Sequence, residues 1–472
     1  MNFIKYDIIF LVFFILIVAL FLYFNKKNLK KQGWLFLYQT KWGIKLINYT
    51  GKKYKKTLNA LSYFSVVIGY FLMIAMIYLF GKVVWLYLFN SEAVRAIKIP
   101  PIMPFIPYLP QIFKLDFLPP IYFTYWIIIL AVIAITHEFC HGIFAVHNKL
   151  KIKRTGFGFF PFFLPVFLAA FVEIDEEKMK KKNKFSQMAI LSAGTFANVL
   201  TTILFMIIIW LFFSVAFVPS GVEFNTYSYS MIKMENINYI NGIAFQNKTY
   251  ENLASLIINN SLNEINATNK TYRGVRGIIE ENGTYYAFLY DDSPAIRAGL
   301  NGAITKINGE KIISWGEFGK KLEKKNPGDN VLLEVKTENE TLEYNLTLGK
   351  NPKNESAAWL GIGIEEYKLS GISGKIFNLL SFFKISSIYY EPRWDFCWFV
   401  YNLLWWIILA SISVALVNML PVGIFDGGMF FYLTVLAIIK DKNKAKKIFS
   451  AVTWLFLLIV ILIMVFWVLS FK

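Results

Sequence analysis

Histidine, cysteine and charge are all scarce in this chain of 472 residues. It holds three histidines and two cysteines, Cys140 and Cys397. One bridge is the most that two cysteines allow, and Cys140 falls in an apolar helical stretch, so a disulfide framework is excluded. Charged residues make up 17% of the chain, against 56% hydrophobic and 18% aromatic, and the mean hydropathy is +0.48. That balance excludes a soluble globular enzyme. Several runs exceed the ~18 apolar residues that mark a membrane-spanning candidate. Candidate spans lie near 7–24, 60–90, 122–147, 186–217, 398–421 and 447–471, giving a polytopic α-helical membrane protein of about six transmembrane helices. The first span lacks a small-residue cleavage site and is followed by further spans, so it reads as a retained helix and not a signal peptide.

Two long stretches are almost devoid of charge, which makes their exceptions informative. From Phe117 to Asn148 the one formally charged side chain is Glu138. It lies in His137-Glu138-Phe139-Cys140-His141-Gly142, which contains two of the three histidines. Histidines at i and i+4 share a helix face, where both imidazoles can reach one metal ion, and the neighbouring glutamate can act on water. Cys140 points to another face and reads as a packing residue. From Cys397 to Ile439 the one charged residue is Asp426, in Asn418-Met419-Leu420-Pro421-Val422-Gly423-Ile424-Phe425-Asp426-Gly427-Gly428. Pro421 and the glycines break the helix there. A lone acid in lipid costs roughly 2.5–3.5 kcal/mol on insertion scales and needs a cation or a proton. Catalytic zinc takes three protein ligands and leaves a fourth position open. One ion held by His137, His141 and Asp426, with Glu138 beside it, accounts for both isolated acids. The third histidine, His147, is six residues past His141, on the wrong face.

The net charge of +18 raises nucleic acid as a partner, but its distribution excludes that. Lysines cluster at 26–56, at 149–154 with 178–184, and at 440–447. Alternating spans put all three on one side, which the positive-inside rule makes cytosolic. The N-terminus and residues 218–395 are then outside. His141 stands eight residues before Lys149, or ~12 Å, so the metal site lies just below the cytosolic membrane surface.

The organisation follows. Residues 1–59 hold the first span and a basic cytosolic loop. Residues 60–217 form the first half of a membrane core. Within it are the motif helix 122–147, a stretch 156–172 broken by Gly156, Gly158, Pro161 and Pro165, and a span 186–217. The broken stretch reads as a re-entrant or interfacial β-like segment. In the last span, Ser192-Ala193-Gly194-Thr195-Phe196-Ala197-Asn198 offers small residues for close packing. Asn198 is either a packing hydrogen bond or an active-site donor. A proline-rich loop covers 91–121. Residues 223–370 turn to alternation, turn dipeptides and mixed charge, a β-rich domain. Its glycosylation-type sequons at Asn247, Asn259, Asn266, Asn269, Asn282, Asn339, Asn345 and Asn354 agree with an external location. Residues 396–472 complete the membrane core.

Two resemblances emerge from these motifs. Ser293-Pro294-Ala295-Ile296-Arg297-Ala298-Gly299-Leu300, then Ile307-Asn308-Gly309, resembles a PDZ domain. This implies a peptide-binding region around Ser293, Gly299, Leu300 and Gly309. A second Ile-Asn-Gly turn at 240–242 suggests one PDZ unit with a partial copy or a tandem pair. The ordered set H-E-x-x-H-G at 137–142, A-G-x-x-x-N at 193–198 and N-x-x-P-x4-D-G at 418–427, with a PDZ insertion, resembles the site-2 protease family of intramembrane zinc metalloproteases. That resemblance implies one Zn2+ per chain on His137, His141 and Asp426. Glu138 becomes general base and proton donor, and Asn198 and Asn418 contact substrate or the oxyanion. Gly142, Gly194, Pro421 and Gly427 become structural residues of the site. It implies transmembrane regulatory proteins as substrates, cut beforehand outside by another protease, with a lipid bilayer as environment.

Two other readings stay open from the residues. A prenyl-type membrane zinc protease also uses H-E-x-x-H but takes its third ligand from a glutamate, and no later span carries one. A non-catalytic receptor or adaptor displaying the PDZ unit leaves Glu138 and Asp426 without a purpose in lipid.

Overall fold

The computed structural model describes residues 3–32, 35–90, 94, 100–103, 105–113, 115, 118–159, 168–258, 262–268, 270–337, 340–365, 374 and 382–469. Pro161, Pro165, Asn259, Asn269, Asn339, parts of the loop 91–121 and the end of the 223–370 region lie outside them. The chain forms two compact units, Met1–Leu211 with Trp398–Lys472, and Phe212–Cys397.

The first unit is built on helices α1 (Phe3–Phe24), α2 (Ile44–Lys53), α3 (Lys55–Phe89), α4 (Phe123–His147), α5 (Lys184–Ala216), α6 (Cys397–Asn418), α7 (Asp426–Ile439) and α8 (Lys442–Leu469). All but α2 and α7 are long and apolar enough to cross a membrane, six among the described residues. The 14 residues of α7 reach only ~21 Å, short of a ~30 Å hydrocarbon core. It is the second half of a helix interrupted after Asn418. Pro421 offers no amide to continue α6, and Gly427 and Gly428 let α7 fold back against the break. A Cβ on Gly427 would sit 2.4 Å from the Met419 carbonyl carbon, and one on Gly428 2.3 Å from the Val422 oxygen.

Polar bonds between helices fix the parts that carry the isolated acids. Ser192 of α5 donates to Ser65 of α3 at 3.2 Å. Tyr70 of α3 and Thr434 of α7 share a 2.9 Å hydroxyl bond. Lys184, opening α5, donates to the Leu436 carbonyl of α7 at 2.9 Å. Ala189, Ala193, Ala415, Met419 and Phe430 are buried between them in one core.

The first helix does more than anchor. Asp7 of α1 is 1% exposed, and its carboxylate caps the start of α4. It accepts from the Phe123 amide at 2.7 Å, the Thr124 amide at 2.9 Å and the Thr124 hydroxyl at 2.5 Å, and from the Tyr108 hydroxyl. Two of the amides left unpaired at the start of α4 are thus satisfied by a neighbouring helix.

Four antiparallel strands complete the unit in the order β1 (Leu29–Gln32), β2 (Leu35–Thr40), β3 (Ile152–Phe159), β4 (Leu168–Ile174). The described parts of the β-like stretch are therefore strands. They start earlier than 156, end later than 172, and recruit a hairpin from the basic loop. Gly156 is required by that hairpin, since its Cβ would lie 2.0 Å from the Tyr38 oxygen.

The second unit contains β5 (Phe217–Glu223), β6 (Tyr229–Lys233), β7 (Ile237–Ile240), β8 (Ile243–Ala244), β9 (Glu264–Ala267), β10 (Lys270–Glu281), β11 (Thr284–Asp291), β12 (Ala303–Ile307), β13 (Glu310–Lys311), β14 (Asn330–Lys336), β15 (Thr341–Thr347) and β16 (Ile388–Pro392). One sheet runs β6-β11-β10-β9-β7-β8 and another β15-β14-β12-β5-β16. The two Ile-Asn-Gly turns are equivalent. Asn241 and Gly242 have φ of 52° and 79°, Asn308 and Gly309 49° and 80°, the all-positive pair of a type I′ hairpin. Asn241 accepts from the Glu264 amide and Asn308 from the Leu332 amide, both at 2.9 Å. Each hairpin leads to a capped helix, Tyr250–Leu256 behind Thr249 and Trp315–Glu323 behind Ser314, then to two antiparallel strands. Each copy has its own core, around Ile237, Leu253 and Ile265 in one and Ile304, Phe318 and Leu333 in the other. The unit is PDZ-like, and its turn, capped helix and strand pair occur twice. Asp292 joins the copies through Arg297 and Arg273, and these guanidiniums, Arg297 first, hold its carboxyl below the usual carboxylate range.

Replacing Asp7 with Ala orphans one buried and one half-buried amide, at ~1–3 kcal/mol. A lower thermal midpoint in detergent is expected, and an unchanged midpoint would show that the cap bears no load.

Candidate metal centre

His137 and His141 lie one turn apart on α4, each 8% exposed. Their Nε2 atoms are 3.0 Å apart. Asp426, the first residue of α7, brings its Oδ2 to 3.3 Å from His137 Nε2 and 3.2 Å from His141 Nε2. These three side chains form the metal-competent cluster among the described residues. Ligands on a tetrahedral zinc with bonds of ~2.0–2.1 Å stand roughly 3.3 Å from one another, so the triangle has the dimensions of one face of that polyhedron. Two imidazoles and one carboxylate, with no thiolate, also match the donor set of catalytic zinc.

The residues around the triangle divide by what they touch. Glu138 Oε2 accepts from the Val172 amide of β4 at 3.0 Å. The carboxylate faces a recess lined by Trp42, Phe139, Gly156, Phe157, Phe171 and Val172. Gly194 of α5 presses on the histidines, because a Cβ there would lie 2.3 Å from His141 Nε2 and 2.5 Å from His137 Nε2. Gly142 fits α4 against α2 and β4, its Cβ position 3.1 Å from Ile47 and 3.2 Å from Val172. Asn198 is fully buried, and its amide meets His137 Nδ1 at 3.1 Å. His141 Nδ1 donates to the Ile190 carbonyl at 2.7 Å.

The structure therefore brings together His137, Glu138, His141, Gly142, Gly194, Asn198 and Asp426, with Pro421 and Gly427 shaping the break that delivers the last. Asn418 ends α6, half-buried, outside the hydrogen bonds of the triangle. His147 is in the last turn of α4, away from it. Cys140 is a free, half-buried thiol in the core. The PDZ-type residues serve folding. Ser293 caps the helix Pro294–Arg297, Leu300 is fully buried, and Gly299 and Gly309 hold positive φ. Ser293 and Leu300 are at 0% exposure, inside the packing of this copy.

Sequence reasoning missed the Val172 amide and the Ile190 carbonyl. Both are backbone groups that any side chain could carry, so no residue type signals them.

A methyl group at Gly194 has no room. Gly194→Ala is expected to lower retained zinc at least about tenfold, measured as metal per chain after purification. Zinc content equal to wild type would contradict this packing.

A family model for peptidase family M50 matches residues 125–290 and 368–461. Both halves of the triangle fall inside the match, and the second PDZ-like copy falls in its gap. Zinc metalloprotease RasP from Shouchella clausii (strain KSM-K16) is 25% identical over 170 residues, 30% of this chain. The match spans 40% of that relative's length. The PDZ domain of an SdrC-like protein from Listeria monocytogenes is similar over 15% of this chain and 75% of its own, at 27% identity and a TM-score of 0.14.

Proposed function

The chain belongs to peptidase family M50, matched over more than half of its length, and on that premise we propose that it is an intramembrane zinc endopeptidase. Its substrates are transmembrane segments of membrane-bound regulatory proteins. The observation that carries this reading is the 3.0–3.3 Å triangle of His137, His141 and Asp426, with Glu138 alongside, inside a unit of six membrane-length helices.

His137, His141 and Asp426 hold one zinc ion per chain. When bound, zinc polarises the scissile carbonyl and makes water nucleophilic near neutral pH. Glu138 moves the proton: it accepts one from the attacking water and returns it to the departing amine nitrogen. The Val172 amide steadies one oxygen of Glu138 and leaves the other free for that transfer. The apolar walls around Glu138 keep other water away.

A substrate helix must unwind before its peptide bonds are accessible, since its amides are already bonded. The edge strand β4 and the aromatic recess beside Glu138 suit an extended stretch of chain, which would pair with β4 as a further strand. The lysine clusters support a metal site near the cytosolic face of the cell membrane and an extracytoplasmic PDZ-like unit. There the repeated unit would exclude substrates not yet shortened by another protease.

The test is cleavage of a single-span substrate by the purified protein in detergent, with Glu138→Gln as comparison. Loss of ~10²–10⁴-fold in rate with zinc content kept is expected. Undiminished cleavage by the variant would remove Glu138 from the chemistry.

A further inference from the structure

Ile190, Gly194 and Asn198 are spaced by four along α5, so they share one face, and all three meet the histidine pair. Gly194 lets the α5 backbone approach. The Ile190 carbonyl takes the Nδ1 proton of His141 at 2.7 Å, and a carbonyl can only accept. That bond fixes the tautomer of His141 and leaves its Nε2 bare toward the triangle.

His137 needs the same arrangement, but among the described residues a side chain and not a main-chain carbonyl stands at its Nδ1. Its Nδ1 meets the Asn198 amide at 3.1 Å. We propose that Asn198 is the positioning residue of His137, using its side-chain oxygen to hold the Nδ1 proton so that Nε2 is free to bind metal. The inference rests on the zinc-protease reading above and replaces the oxyanion role implied by the family resemblance.

An amide can present either end, which distinguishes it from the Ile190 carbonyl. Turned one way, Nδ2 donates to a bare Nδ1, and Oδ1 is then buried without a partner. Turned the other way, Oδ1 accepts from Nδ1–H, the orientation that a coordinating Nε2 demands. Asn198 is 0% exposed and is committed to the far side of a ligand, so it is not placed as a donor to substrate. α5 thus supports both histidines from one face, one by backbone and one by side chain, with the glycine between them making the approach possible.

The test uses two substitutions in the full-length protein that separate accepting from donating. Asn198→Asp keeps an acceptor and loses the donor, whereas Asn198→Leu loses both at similar size. Zinc affinity is read by chelator competition on protein that elutes as wild type does, with Asn198→Ala in place of Leu if the larger group is not tolerated. The proposal predicts wild-type affinity within a few-fold for Asn198→Asp and a ~10–100-fold loss for Asn198→Leu. It also predicts that the His137 Nδ1 nitrogen resonance of the zinc-loaded protein reports a protonated nitrogen in wild type and in Asn198→Asp. Equal zinc affinity in all three proteins, with turnover lost in both variants, would return Asn198 to the oxyanion. Equal loss of zinc in both would also overturn the proposal. Failure of the wild type itself to bind zinc would instead sink the protease reading.

Discussion

Asp426 Oδ2 and two imidazole nitrogens meet within 3.3 Å, and much of the membrane unit is arranged to make that meeting possible. An acid in a membrane interior is tolerated only against a cation or a proton. To reach the histidines, Asp426 has to start a helix inside the apolar unit, so α6 stops at Asn418, Pro421 prevents its continuation, and Gly427 and Gly428 admit the return of α7 against its own loop. Gly194 then removes the one side chain that would stand between α5 and the histidines. The same contact explains why α5 and α7 are tied to each other and to α3 by Lys184, Tyr70, Thr434 and the Ser65–Ser192 pair. A shift of an ångström between these helices would open the triangle.

Much of this was legible because the background is so plain. In a run without charge, Glu138 and Asp426 stand out, and two of three histidines fall in one helical turn. The spans were readable for the same reason, to within several residues at their ends. Gly156, Gly158 and the prolines signalled irregular backbone, and strands formed there. The hairpin at 29–40 was not legible as strand, because its lysines read as a solvated loop. Its pairing with β3 is a long-range contact that local pattern does not encode.

Asp7 is the instructive omission. An acid four residues into the first span reads as a boundary, because an isolated helix would place it at the membrane surface. Its role depends on the start of α4, more than a hundred residues away, where unpaired amides need an acceptor. The repetition of turn, capped helix and strand pair was half visible, since the repeated Ile-Asn-Gly turn is a local signal with a conformational cause. The strands that complete each sheet, including β5 and β16 at the two ends of the unit, come from segments with no repeat in their sequence.

One metal ion held by nitrogen and oxygen underlies the proposed chemistry. X-ray absorption at the zinc edge of the purified, zinc-loaded protein reads that coordination directly. The expected result is one zinc per chain with two imidazoles and a carboxylate among light-atom ligands at ~2.0–2.1 Å and no sulfur. A sulfur shell at ~2.3 Å, which Cys140 would have to supply, or no zinc after loading, would contradict it.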